Sequence, residues 1–154
     1  MPNRPNRAPF LLILAATVAL GVAGSPSSRA AADGFVVICN AKASTSALSR
    51  AELKALYTGK SKTLGGSAVV VVTRPEGDVP FGQFVDQIFG IAIKTLLAKI
   101  HQEVFKGEMT KPSQAVSDEQ VVQSVGASPG MIGVVSPQGA IHLPSSVVVV
   151  RVGG

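Results

Sequence analysis

Apolar and polar positions along the chain fall into runs of two kinds. Phe35 to Cys39 is a continuous apolar stretch and predicts a strand covered on both faces. A polar stretch rich in Ser, Thr and Ala follows, Asn40 to Ala47, and predicts a linker. Ser49 and Glu52 stand in the S-x-x-E spacing of a capping box, with Leu48 and Leu53 at the two staple positions. A helix is therefore predicted from Ser49, with Leu53, Leu56 and Tyr57 on its inner face and Gly59 as a left-handed stop. The loop 60–67 leads to a second strand, 68–73, whose valines do not alternate with polar residues.

Beyond a turn, Arg74-Pro-Glu-Gly-Asp78, residues Phe81, Phe84, Val85, Ile88 and Phe89 recur at helical spacing. Gly90 breaks that helix. Ile93, Leu96, Leu97, Ile100 and Val104 carry the next one, closed by Gly107. After a loop at 107–116, Ser117 with Gln120 forms a second capping box and Val116 with Val121 a second staple. Met131 to Val135 and Ser145 to Val152 predict the last two strands. Strands and helices in this order predict a single-domain α/β three-layer sandwich with a mainly parallel or mixed sheet. The roughly 120 residues after the first 32 suffice for one core.

Residues 1–32 follow another rule. Arg4 and Arg7 precede an apolar run of 14 residues, Phe10 to Ala23, and small residues lead to Ala30-Ala31-Ala32. This is the layout of a secretory signal, with cleavage expected before Asp33. The run falls short of the ~20 residues that span a bilayer, so no membrane insertion is expected after cleavage. The expected destination is periplasmic or extracellular.

The 154-residue chain has a formal net charge of +5. Arg4, Arg7 and Arg29 leave with the signal, so the domain 33–154 keeps 11 basic and 9 acidic residues, net +2. It has no run of Lys or Arg, which argues against nucleic acid as a partner. Cys39, the single cysteine, has no neighbour that would activate a thiol. No G-x-S-x-G elbow, P-loop or metal-ligand spacing is present, and His101 and His142 read as surface residues. The expectation is a protein that is not an enzyme, with no cofactor, no metal and no catalytic residue.

Arg74 is the sharpest candidate. It leaves the carboxyl end of a covered strand just before a helix starts, where ligands of open α/β sheets bind. Its guanidinium would offer a forked donor to an oxyanion, or would be spent on Glu76 or Asp78.

Three stretches resemble the phosphate ABC transporter substrate-binding family. LSRAELKALYTGK (48–60) is similar to L-S-x-x-x-L-x-x-I-F-x-G-K. TRPEGDVPFGQFVDQIFG (73–90) is similar to the family's Arg, Ser-Gly-Thr turn and helix. VVQSVGASPGMIGVVSP (121–137) is similar to V-x-x-x-P-G-A-I-G-Y-V. The resemblance implies one lobe of a type 2 periplasmic-binding fold and a phosphate-like oxyanion at Arg74, Gly77, Asp78 and Phe81. It also implies an ABC permease or envelope protein as partner. The sequence departs from the family where Asp78, Val79 and Pro80 replace Ser, Gly and Thr: a carboxylate repels phosphate and proline has no N–H to donate. The alternative is a non-catalytic interaction module of the same fold that docks on a protein or self-associates. In that reading the Val147–Val150 strand would accept a partner strand if it lay at a sheet edge.

Overall fold

The apolar runs form strands because each must be covered on two sides. A computed structural model describes residues 34–154, so the expected signal and its cleavage point lie outside the described residues. Strands β1 (Val36–Asn40), β2 (Ala47–Ser49), β5 (Val70–Thr73), β6 (Ser113–Gln114), β7 (Met131–Val135) and β8 (Val147–Gly153) make one sheet in the order β2-β8-β1-β7-β5-β6. A hairpin, β3 (Thr63–Leu64) with β4 (Ser67–Ala68), stands apart from it. β1 runs antiparallel to β7 and β8, while β5–β6, β5–β7 and β2–β8 are parallel, so the sheet is mixed.

Neighbouring residues on a strand enter different cores, the signature of a sheet buried on both faces. Val37, Cys39, Val71, Ile132 and Val134 pack with α1 (Arg50–Tyr57), α2 (Val79–Phe89) and α3 (Ile93–Phe105). Ile38, Val72, Met131 and Val135 pack on the other face against α4 (Asp118–Ala127) through Val121 and Val125. The three-layer sandwich expected from the sequence is the fold observed. Its larger core holds Tyr57, Phe81 and Phe84, all fully buried, with Tyr57 and Phe84 centroids 5.1 Å apart. Each such ring contributes about 1.5–3 kcal/mol by burial.

The caps follow the sequence with one shift. Ser49 and Glu52 complete their capping box, and Gly59 takes φ +77° beyond α1. At Ser117 only half of the second box forms: Ser117 Oγ accepts from the Gln120 amide, while Gln120 Oε1 accepts from Val116 N–H instead of Ser117 N–H. Val116 stays 69% exposed and does not act as a buried staple.

The predicted strand 68–73 divides. Ala68 closes the β3–β4 hairpin, whose two turn residues Gly65 and Gly66 sit at φ +57° and +83°, as a type I′ turn requires. β5 begins only at Val70. β2 spans the end of the expected linker and the start of the expected helix, and β6 arises inside the expected loop 107–116. β8 pairs with β1 along Val147–Val150 and with β2 only along Arg151–Gly153, so among the described residues no strand is registered against the other side of Val147–Val150, as the condition for strand addition there requires.

Candidate functional site

β5 and β7 are parallel neighbours, so their carboxyl ends open toward one edge of the sheet, and α2 and α4 begin there. Arg74 follows β5 and is only 7% exposed. Nη2 meets Asp78 Oδ2 at 2.7 Å, and Nη1 donates to Asp118 Oδ1 and to the Val134 carbonyl at 3.3 Å. Nε is buried with no hydrogen-bond partner among the described residues.

Both carboxylates have further duties. Asp78 is the N-cap of α2, accepting from Phe81 N–H at 2.9 Å. Asp118, at the first position of α4, accepts from both the Ser136 hydroxyl and the Ser136 N–H. Burial pushes the Asp118 carboxyl up, but hydrogen bonds from Ser136 and Arg74 outweigh it and hold it below the usual carboxylate range. Ser136 Oγ in turn accepts from Gly139 N–H at 3.1 Å, which ties the loop after β7 into the network.

The four residues expected to hold an oxyanion are thus placed together, with both Arg74 Nη groups and the Phe81 N–H already engaged. Two arms of the Arg74 guanidinium face carboxylates. The Phe81 side chain is core and its N–H belongs to Asp78. Gly77 is exposed in the turn. One cation between two anions leaves the trio one charge negative. An incoming anion 4 Å from a carboxylate meets roughly 4 kcal/mol of repulsion per charge pair at an effective dielectric of ~20.

Asp118 and Ser136 were not singled out from the sequence. Their signal was positional: one opens a helix and the other follows a strand within the 121–137 region. Glu76 is exposed in the turn, and the partner role falls to Asp78. His101 and His142 are both exposed. Glu103 pairs with Lys106, and Glu108 with Lys62 at 3.0 Å, which holds the Glu108 carboxyl low. Among the described residues no group of three His, Cys, Asp or Glu side chains converges on a metal position. Burial pushes the Cys39 thiol up, and it donates weakly to the Thr45 carbonyl.

No family model and no curated protein matches this sequence. Solved structures do. A phosphate transport receptor of the ABC type from Vibrio cholerae superposes with a TM-score of 0.58 at 15% identity, over 77% of this chain and 46% of its own. A chain described as a phosphate ABC transporter substrate-binding protein, solved with bound phosphate, from Clostridium perfringens gives 0.56 at 24% identity, over 77% and 44%. PstS from Borrelia burgdorferi gives 0.56 at 14%, over 79% and 47%. The fold is that of one lobe of a periplasmic-binding protein. This lobe spans under half the length of each of those chains. At such identities the likeness carries the architecture alone. Among the described residues no helix is long and apolar enough to cross a membrane.

Proposed function

We propose that this chain is an exported, non-catalytic solute-binding-like lobe that works as an interaction module of an uptake or envelope system, not as a stand-alone oxyanion receptor. The observation that carries this reading is the closure of Arg74 by Asp78 and Asp118. A dedicated anion site keeps its donors free for the ligand, and here the guanidinium is neutralised twice over. The likeness to binding-receptor structures supports the non-enzymatic, solute-binding-like part and an ABC permease or envelope protein as partner. The signal-like layout of residues 1–32 supports export to the periplasm or beyond.

A second reading keeps a phosphate-like oxyanion at Arg74, Gly77, Asp78 and Phe81. The buried, unpartnered Nε of Arg74 favours it, as does the likeness to a structure holding phosphate. Calorimetric titration with phosphate, sulfate and acetate separates the two. The interaction-module reading predicts no saturable heat from any of them. Saturable heat that disappears in Arg74→Gln would establish the second reading instead.

A further inference from the structure

The last strand of the sheet lies beside a groove that touches Arg74 and Pro75 only in its second cavity. β6 pairs with β5 on one side and ends the strand order on the other. Ala115 N–H bonds Thr73 O, so alternation along the strand turns the N–H and C=O of Gln114 away from β5. Next to this edge α3 presents Leu97, Val104 and Phe105 to a cavity of about 250 Å³, floored by Pro112. A second cavity, about 240 Å³, shares Leu97, His101 and Gln114 with the first and continues past Val116.

The groove carries the most exposed of the large apolar residues described, Phe105. Phe105 is 95% exposed and Val116 69%, so each forgoes the burial that core residues obtain. Its charge has one sign. No Asp or Glu lines either cavity: Lys111 lines the first, Arg74, already paired with Asp78 and Asp118, lines the second, and His101 lines both. Lys94, seven residues before His101, lies on the same stripe of α3. Lys106, at the end of α3, is already matched by Glu103.

We propose that this groove receives an extended segment of a partner protein, added as a short strand along β6. An apolar side chain of the segment packs on Leu97 and Phe105, and flanking carboxylates face Lys111 and His101. The inference rests on the interaction-module reading and specifies its surface. The charge complement selects an acidic-flanked segment over a basic one.

Display of short random peptides against the full chain, with Phe105→Asp and Lys111→Glu as counterparts, tests it. Both substitutions are at exposed positions, and thermal melts verify that each variant folds. Enriched peptides are expected to carry a large apolar residue between Asp or Glu residues. They should bind both variants about tenfold or more weakly and lose affinity as salt rises. Enrichment of basic flanks, equal binding by Phe105→Asp, or no enrichment at all would overturn the proposal. So would a dimer of the wild-type chain that Phe105→Asp dissolves, since the groove would then belong to a second copy. Such failures alongside a silent phosphate titration refute this surface alone. A saturable phosphate titration refutes the reading beneath it.

Discussion

Arg74 and Asp118 hold each other in place, and each leaves a measurable trace. Asp118 lies below the usual carboxylate range in the folded chain, so the unfolded chain binds its proton more tightly. Its contribution is present above about pH 4, the unfolded carboxylate value, and is lost as pH falls through the depressed native value. Melting temperature should therefore decline on acidification more steeply in the wild type than in Asp118→Asn, as circular dichroism across that range would reveal; parallel profiles would refute the pairing. Tyr57 offers a contrasting case. Its hydroxyl is buried with no partner among the described residues, and burial drives its pKa upward. An unsatisfied buried hydroxyl costs roughly 1–3 kcal/mol, so Tyr57→Phe should be neutral or stabilising in urea denaturation. A loss above about 1 kcal/mol would mean that the hydroxyl has a partner.

At the level of elements, helix starts and buried strands were legible in the sequence, while the short strands were not. Ser49 with Glu52 marks α1 by local chemistry alone, because the cap and the box lie within four residues. β2 has three residues and β6 two, too few for any periodicity to register. Both strands exist because a neighbouring strand's backbone recruits them: Arg151 N–H to Ser46 O beside β2, and Ala115 N–H to Thr73 O beside β6. Candidate-site residues divide along the same line. Arg74 and Asp78 are four residues apart and could be paired on paper. Asp118 reaches Arg74 from the helix that follows β6, beside β5, and Ser136 reaches Asp118 from the end of β7, on the other side of β5, long-range adjacencies that no local pattern encodes. Gly133 in β7 tests how tightly α4 is seated there. A Cβ at that position would come within 2.6 Å of Val121 Cγ1 and 3.2 Å of Val72 Cβ. Gly133→Ala should lose about 1–3 kcal/mol in urea denaturation as α4 is lifted from the sheet. Unchanged stability would show that the layer yields easily.

For the whole molecule, the sheet brings one cation and two carboxylates to the edge where an α/β lobe would meet a ligand. The +5 of the full sequence falls to +2 once residues 1–32 are set aside, and the Arg74 trio is itself one charge negative. Little of the lobe's electropositive character remains at that edge, and Lys111 stands at the β6 groove instead. The most direct measurement is calorimetric titration of phosphate into the wild-type chain and into Asp78→Ser at neutral pH. Serine keeps a side-chain cap for α2 while releasing one arm of the guanidinium. The wild type should give no saturable heat, and Asp78→Ser should acquire a weak saturable curve. A saturable curve from the wild type, abolished in Arg74→Gln, would contradict the account.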